Sequence, residues 1–243
     1  MKPYYSHAGI TIYHGDCREI LPTLEANSVD VTVTSPPYNL IREWVGGGPN
    51  SGMKQLERRF EDWYPDSVPE AEYQEQQKNI VAELCRVTQG SVFYNHKVRY
   101  AIKRRNEIYH PLDWLRGFPI WCEIIWDRCG GQGGNSGRFI IQNELIYQLK
   151  RPSQWNGCLG MTTVWRIPPV EGIGHVCAFP EELPARAIVS TTNEGAVVLD
   201  PYVGSGTTLL AAKNLRRRAI GIEIEEKYCE IAAKRLSQEV LPL

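Results

Sequence analysis

The chain has 243 residues, and its 27 Lys and Arg nearly balance its 28 Asp and Glu, which leaves a formal net charge of −1. With 42% hydrophobic and 23% charged residues, it has the composition of a soluble globular protein, long enough for one large domain or two small ones. It contains no run of about 18 apolar residues, and its first residues lack the apolar stretch of a signal peptide. We therefore expect a cytoplasmic protein without a membrane segment.

The seven cysteines and five histidines show no metal-ligand spacing. The cysteines are odd in number and form no C-x-x-C pair, which argues against a disulfide framework and a structural zinc site. Charge is unevenly distributed, since residues 96–105 and 215–218 are basic and residues 61–75 are acidic. Each basic run is either a solvated face or part of a cleft for phosphates. The sequence thus predicts no metal and leaves those two interpretations open.

The pattern of apolar residues predicts alternating strands and helices. In the first half we predict a strand at 9–13, a helix at 17–25, a strand at 29–34, a loop at 39–60, a helix at 69–88 and a strand at 90–95. In the second half we predict a helix at 110–118, strands at 119–128 and 143–150, a helix at 179–192, a strand at 196–200, a helix at 205–215, a strand at 218–224 and a helix at 225–240. This alternation favours the α/β class, a parallel sheet with helices on both faces.

We expect one domain over residues 1–243, with insertions at about 39–66 and 129–160. Both insertions are rich in glycine and would hang from strand ends, where α/β proteins place their binding surfaces.

The segment 197–212 reads as strand, glycine turn and helix. The glycines let the backbone approach a ligand closely, and the helix start offers free N–H groups. Asp200 ends this strand, and Glu223 ends the next one, where an acid can accept both hydroxyls of a ribose. The pattern favours an adenosine-containing cofactor. It does not choose between NAD and S-adenosylmethionine, although Leu209 at the third position of G-x-G-x-x-G mildly disfavours the dinucleotide.

The stretch Thr34-Ser35-Pro36-Pro37-Tyr38 follows the predicted buried strand. Two prolines lack N–H groups and fix their backbone, so their carbonyls are free to accept hydrogen bonds from an amino group. Tyr38 offers a face on which a planar base can stack. The alternative is a stiff proline turn with a core tyrosine.

Five motifs resemble the amino-methylating DNA methyltransferases that use S-adenosylmethionine. The stretch "SPPY" resembles the catalytic motif of that family, and "DPYVGSGTT" resembles its cofactor motif. Three others are similar to flanking segments of the family: "AIGIEI" with "YCEIAAKRL", "HGDC", and "HVCAFPEELPARAI". The catalytic motif precedes the cofactor motif, a permuted order characteristic of the beta group. The resemblance implies a Rossmann-like methyltransferase sheet, with a catalytic half at about 9–128 and a cofactor half at about 175–240.

The resemblance also implies roles for individual residues. The catalytic residues would be Ser35, Pro36, Pro37 and Tyr38. The cofactor-binding residues would be Asp16, Cys17, Phe179, Asp200, Pro201, Gly204, Ser205, Gly206, Thr207, Thr208 and Glu223. For Asp16 an N-cap of the following helix is an alternative that can hold together with adenine binding.

The family pattern bears on the target base through position 35. Ser at this position is more frequent in cytosine-N4 enzymes and Asp in adenine-N6 enzymes, so Ser35 favours cytosine N4, with adenine N6 as the alternative. The chain has no Pro-Cys pair, which argues against a cytosine-C5 enzyme. The target base would have to leave the duplex to reach the pocket.

Target recognition is expected in the two insertions, and double-stranded DNA is the expected partner. Candidate contacts to phosphates or guanine edges are Arg42, Lys54, Arg58, Arg59, Arg128, Arg138, Lys150 and Arg151. A homodimer and a cognate restriction endonuclease are further candidate partners. Two other hypotheses are an inactive nucleic-acid-binding module on the same scaffold and a nicotinamide-dependent oxidoreductase.

Overall fold

The structure is a computed structural model that describes residues 2–39, 68–101, 107–130, 139–157, 161–170 and 179–238. Its strands are β1 (Tyr5–His7), β2 (Ile10–His14), β3 (Val31–Thr34), β4 (Val92–His96), β5 (Arg99–Ala101), β6 (Glu107–Tyr109), β7 (Ile120–Asp127), β8 (Asn143–Leu149), β9 (Val164–Arg166), β10 (Val197–Asp200) and β11 (Arg218–Glu223). Its α-helices are α1 (Cys17–Ile20), α2 (Glu70–Val87), α3 (Leu112–Leu115), α4 (Glu182–Thr191), α5 (Thr207–Asn214) and α6 (Glu226–Ser237).

Nine of these strands form one sheet in the order β1-β2-β11-β10-β3-β4-β8-β7-β9. The five strands from β2 to β4 are mutually parallel. Strand β8 is antiparallel to both β4 and β7, and β1 is antiparallel to β2. The sheet therefore places the carboxyl ends of β2, β11, β10, β3 and β4 side by side along one edge.

Helices cover both faces of the sheet because successive strand residues point to opposite sides. On one face Phe93 and Val198 pack with α4, α5 and α6. On the other face Tyr94 and Leu199 pack with α1, α2 and α3. All four residues of β3 are buried, as expected for a strand covered on both faces. The expected α/β class is confirmed.

Four details differ from the sequence-based prediction, and one of them is that the helix expected at 110–118 spans only Leu112–Leu115. The sheet is mixed rather than parallel, because β8 runs against its neighbours. The helix expected at 17–25 ends at Ile20, and a 3-10 turn containing Pro22 follows it. Strands β1, β5, β6 and β9 were not predicted, since each is three residues long and is defined by its pairing partner. The loop expected at 39–60 lies, apart from residue 39, outside the described residues.

Within the described part of the chain, no helix is long and apolar enough to span a membrane. Among the same residues, no three His, Cys, Asp or Glu side chains come together as metal ligands.

Candidate active site

The motif residues from the two ends of the chain meet at the carboxyl edge of the sheet. Thr34 ends β3, Asp200 ends β10 and Glu223 ends β11, and these three strands are neighbours or next neighbours. Glu223 is paired with His14, the last residue of β2, and the Gly15 N–H donates to the Glu223 carbonyl at 2.9 Å. The predicted catalytic and cofactor residues are therefore brought to one edge.

The predicted catalytic residues, 35–38, form the catalytic loop. A polar cluster around Asn95, the penultimate residue of β4, holds this loop in place. Ser35 Oγ lies 2.9 Å from the Tyr38 hydroxyl oxygen. Asn95 Oδ1 lies 3.2 Å from Ser35 Oγ and 2.8 Å from the Tyr38 hydroxyl oxygen, and Asn95 Nδ2 donates to the Leu145 carbonyl at 3.1 Å. The half-buried Ser35 and Tyr38 thus have defined side-chain positions.

A carboxylate from β8 completes this cluster. The Tyr38 hydroxyl lies 2.8 Å from Glu144 Oε2, and Arg128 Nη1 lies 3.4 Å from Glu144 Oε1. Glu144 is only 8% exposed, so its charge needs these partners. Because β8 is antiparallel to β4, its first residues lie at the edge where β4 ends. Glu144, Asn95, Ser35 and Tyr38 form the catalytic cluster.

Tyr73 and His96 both contact the catalytic loop. The Tyr73 hydroxyl lies 2.6 Å from the Pro37 carbonyl oxygen and 2.7 Å from His96 Nε2. His96 Nδ1 lies 2.8 Å from the Lys97 carbonyl, which can only accept, so Nδ1 carries the proton and Nε2 is an acceptor. Burial lowers the pKa of His96 to about 3, which keeps the ring neutral. The His96 ring in turn contacts Tyr38, with centroids 4.6 Å apart.

The glycine turn before α5 requires glycine for two separate reasons. Gly206 has φ of 84°, in the left-handed region that favours glycine. A Cβ on Gly206 would also lie 2.9 Å from the Ala232 side chain of α6. Arg235 of the same helix donates to the Ser205 carbonyl at 2.5 Å and to Ser205 Oγ at 3.0 Å. Helix α6 therefore determines how closely this turn packs, and hence its shape.

Asp200 is a buried carboxylate between the two halves of the site. Its Oδ1 accepts from the Thr34 hydroxyl at 2.9 Å and from the Tyr202 N–H at 3.0 Å. It is 1% exposed, and burial raises its pKa to about 6 despite these hydrogen bonds. A cation placed beside it would favour the ionised form.

Glu223 is held at the end of β11 by backbone donors. The Gly204 N–H donates to its Oε2 at 2.8 Å, and the Glu225 N–H donates to its Oε1 at 2.9 Å. The side chain is 8% exposed, and burial raises its pKa above the ordinary value. The glycine turn and the acid at the next strand end, which the sequence predicts to act together, are thus directly bonded.

Asp16 is the N-cap of α1, which is the alternative predicted from the sequence beside adenine binding. Its Oδ1 accepts from the Arg18 N–H at 2.8 Å, and its Oδ2 lies 2.5 Å from Arg18 Nη2. These hydrogen bonds from Arg18 lower the pKa of Asp16. Cys17 is 6% exposed, and burial raises the pKa of its thiol to about 11. A protonated thiol of this kind is not a nucleophile.

Most of the remaining predicted cofactor residues lie next to the same turn, and Phe179 precedes α4. Thr207 begins α5 and Thr208 follows it, and both are buried. Pro201 is buried after Asp200, and Phe179 is partly buried against the core ahead of α4.

The predicted DNA-binding residues are divided by the structure. Arg128 lies at the active site beside Glu144. Lys150 and Arg151 follow the end of β8, at the opposite edge of the sheet, and the Lys150 ammonium donates to the Cys85 and Thr88 carbonyls at the end of α2. This geometry argues against a DNA contact by Lys150 or Arg151. The others, Arg42, Lys54, Arg58, Arg59 and Arg138, lie outside the described residues.

At Arg99 the basic run at 96–105 does not offer a free charge. Arg99 is buried and forms a two-point ion pair with Glu70, with N–O distances of 2.7 and 2.6 Å. Its charge is therefore used within the fold.

Sequence reasoning missed five residues of this site: Tyr73, Asn95, His96, Glu144 and Arg235. Asn95 and His96 lie at or near the end of a predicted strand, so a search for polar residues at the carboxyl ends of strands would have found them, whereas Glu144 lies near the start of its strand. Tyr73 and Arg235 lie within amphipathic helices and carry no comparable signal.

Comparison with known proteins agrees with this site. A family model described as DNA methylase matches residues 29–234. The type II methyltransferase M2.DpnII of Streptococcus pneumoniae is 30% identical over 98% of this chain and 93% of that protein. The type II methyltransferase M.ScaI of Streptomyces caespitosus is 28% identical over 100% of this chain and 86% of that protein.

Two solved structures are similar in fold. The PvuII DNA methyltransferase, described as cytosine-N4-specific, has a TM-score of 0.77 at 19% identity over 99% of this chain and 91% of that chain. A putative DNA modification methylase of Thermus thermophilus, complexed with S-adenosyl-L-methionine, has a TM-score of 0.67 at 23% identity over 93% of this chain and 92% of that chain.

The chain belongs to the DNA methylase family, because the family model covers most of its length. It is a DNA methyltransferase that takes its methyl group from S-adenosylmethionine. The resemblance inferred from the sequence is confirmed, and the nicotinamide-dependent alternative is excluded.

Proposed function

We propose that this enzyme methylates the exocyclic amino group of a base flipped out of double-stranded DNA, and that the group is N4 of cytosine. The observation that carries the proposal is the catalytic cluster, in which Ser35 and Tyr38 are positioned by Asn95 and Glu144 one strand away from buried Asp200. Adenine N6 is the alternative target.

Ser35, Pro36 and Tyr38 would hold the base. Tyr73 bonds the Pro37 carbonyl, which leaves the Pro36 carbonyl as the proposed acceptor in this loop. That carbonyl and Ser35 Oγ would accept the two N–H bonds of the amino group and direct its lone pair outward. The Tyr38 ring would stack on the base, with its tilt fixed by the hydroxyl bonds to Asn95 and Glu144.

The residues of the cofactor half fit S-adenosylmethionine. Bound there, it supplies an electrophilic methyl group. Asp200 and the turn Gly204–Gly206 would hold the methionine part, with Thr207 or Thr208 on its carboxylate, and Glu223 would accept the ribose hydroxyls. Cys17 would contribute its backbone and Asp16 its carboxylate to the adenine, while Phe179 and Pro201 would line the pocket. The buried carboxylates of Asp200 and Glu223, which end neighbouring strands, are acceptors that a cationic methionine part and a pair of ribose hydroxyls require, and this supports the fit.

The proton released from the methylated amine has an exit through the catalytic cluster. Ser35 Oγ would accept it, and the proton of Ser35 can move to the Tyr38 oxygen as the Tyr38 proton moves to Glu144. A strong base is not needed, because the amine becomes acidic as it is methylated. The Glu144 carboxylate is the final proton acceptor of this path, and it lies beside Arg128.

The target base is proposed from Ser35 alone. The names of similar proteins are divided, since the PvuII enzyme is described as cytosine-N4-specific and YhdJ of Escherichia coli, 28% identical, as a DNA adenine methyltransferase. The hydroxyl of Ser35 can bond the amino group of either base, so the preference for cytosine rests on the family pattern, in which Ser at this position is more frequent in cytosine-N4 enzymes.

Biological context is also a proposal. The type II names of similar proteins support a modification enzyme that acts with a cognate restriction endonuclease in the cytoplasm. A homodimer would widen the DNA contact. Arg128 would contact phosphate, and so would the five basic residues outside the described part of the chain.

The test is nucleoside mass spectrometry of DNA from a host without its own DNA methyltransferases. Cells that express the chain should contain N4-methylcytosine, and cells that express the Tyr38→Ala variant at the same level should not. N6-methyladenine would reassign the target base, and the absence of both nucleosides would refute the activity. Long-read modification mapping of the same DNA identifies the recognition sequence.

A further inference from the structure

Three consecutive apolar side chains are exposed just before β8. Phe139 is 97% exposed, Ile140 56% and Ile141 39%. Single exposed apolar residues are common, but a contiguous exposed run that includes a whole Phe ring is typical of an interaction site. We call Phe139, Ile140 and Ile141 the apolar tip.

The apolar tip lies on the edge of the sheet that carries the active site. The Arg128 N–H donates to the Gln142 carbonyl at 2.9 Å, so the antiparallel pairing of β7 with β8 continues up to the tip. Two residues beyond Gln142, the Glu144 carboxylate contacts the Tyr38 hydroxyl. With a rise of about 3.4 Å per residue, Phe139 lies within roughly 17 Å of Glu144.

Duplex DNA is the occupant that this position fits. A base held beside Tyr38 leaves the rest of its duplex just outside this edge of the sheet. The stretch 139–142 has no acidic side chain that would repel phosphates. Arg128, whose side chain is 32% exposed, offers a cation at the base of the tip.

We propose that Phe139, supported by Ile140 and Ile141, enters the base stack at the gap that the flipped base leaves. Removing a base from the stack breaks its contacts with both neighbours, and an apolar side chain inserted between base steps replaces part of that contact. The inference rests on the proposed function, since it needs a base that leaves the duplex.

The experiment compares methylation of two duplexes that contain the mapped recognition sequence. In one the target base is normally paired, and in the other it faces an abasic site, so that its pairing is already lost. The variant is Phe139→Ala. The control is Trp121→Ala, which removes a 57% exposed aromatic side chain near the start of β7, at the opposite edge of the sheet. Single-turnover methyl transfer is measured for each.

Phe139→Ala should slow transfer on the paired duplex on the order of tenfold and restore nearly the wild-type rate on the abasic duplex. Trp121→Ala should leave both rates unchanged. A wild-type rate on the paired duplex, or equal slowing on both duplexes, refutes the proposal. Equal slowing with a smaller mass in sedimentation would instead identify the tip as a contact between two copies of the chain. Failure of the wild type on both duplexes would refute the proposed function itself.

Discussion

Thr34 donates a hydrogen bond of 2.9 Å to Asp200, although the two residues are 166 positions apart in the chain. They end neighbouring parallel strands, β3 and β10, and both are almost completely buried. Ser35 follows Thr34 directly, so this bond joins the loop that would hold the base to the carboxylate that would hold the methyl donor. Since methyl transfer depends on the alignment of two bound molecules, a fixed link between their sites favours the reaction.

The Thr34→Val variant tests this link without changing the shape of the side chain. Asp200 loses one donor and keeps the Tyr202 N–H, so we expect a loss of about 1–3 kcal/mol in stability and a drop in affinity for S-adenosylmethionine on the order of tenfold. Thr32→Val is the matched control, because its buried hydroxyl bonds Thr88 instead. Denaturant unfolding and calorimetric titration measure both. If the two variants bind the cofactor equally well, the link to Asp200 has no functional role.

Affinity for S-adenosylmethionine should depend on pH through Asp200. Its pKa is raised to about 6, so the carboxylate is ionised above that pH and neutral below it. Because the proposed methionine part carries a cationic group, affinity should fall as the pH drops through about 6, by up to tenfold per pH unit. Stability of the free enzyme has the opposite sign, since the neutral carboxyl favours folding below pH 3.8 and this contribution is lost as the pH rises to about 6.

Asp200→Asn is the control for this titration. It should bind weakly at every pH and should show a flat profile between pH 5 and pH 8, while its unfolding temperature at neutral pH stays at or above that of the wild type. A wild-type profile that is equally flat would show that Asp200 does not meet a cationic group of the cofactor.

Glu144 and Tyr38 should act as one unit in catalysis. Tyr38→Phe removes the hydroxyl that contacts Glu144 at 2.8 Å, and Glu144→Gln keeps an acceptor there but removes the carboxylate that would take the proton. We expect each to slow single-turnover transfer on the order of tenfold and the double variant to be little slower than either. Cofactor affinity should stay near that of the wild type, because neither residue belongs to the cofactor half. Full additivity of the two effects would contradict a shared role.

The sequence predicted those parts of the site that a local pattern encodes. Two prolines before Tyr38 limit the backbone to a few conformations, and the glycines between Asp200 and Glu223 permit the left-handed conformation that the turn adopts, so short motifs were sufficient. Glu144 has no such pattern, because its place in the site depends on β8 running antiparallel to β4. That direction follows from how the chain crosses the sheet and not from residues near Glu144.

The secondary structure shows the same division. Helix α2 was predicted nearly to the residue, since eighteen residues with one apolar face are a strong signal. The pair β5 and β6 was missed, because three-residue strands acquire their structure from pairing. Lys150 was assigned to DNA by its charge and its place in the expected insertion at 129–160, whereas its position beyond the end of β8 places it at α2.

His96 should make the enzyme acid-sensitive. The pKa of His96 in the folded protein is about 3, below the ordinary 6.5. Its contribution to stability is therefore fully present above pH 6.5 and is lost as the pH falls toward 3, because over this range the unfolded chain binds a proton and the folded protein does not. The expected contribution is about 1.4 kcal/mol per pH unit.

In the His96→Gln variant the amide can still donate to the Lys97 carbonyl and lie beside the Tyr73 hydroxyl, and it does not titrate. In chemical denaturation from pH 7 to pH 4, the free energy of unfolding of the variant should fall less steeply with pH, by the slope that corresponds to about one proton. Equal slopes would mean that other groups account for the acid sensitivity.

Alanine substitutions at Gly206 and Gly195 distinguish the effect of backbone strain from that of steric contact. Both have positive φ, 84° and 82°, but a Cβ at Gly206 would lie 2.9 Å from Ala232, whereas a Cβ at Gly195 would meet nothing within 4 Å. Gly195→Ala should therefore cost about 1–2 kcal/mol of stability from strain alone and leave cofactor affinity unchanged. Gly206→Ala should cost more, because α6 must move away from the turn, and should also weaken binding of S-adenosylmethionine at least tenfold. Calorimetric titration of both variants decides the matter. If Gly206→Ala binds the cofactor as tightly as Gly195→Ala does, the close packing of this turn against α6 serves stability and not cofactor binding.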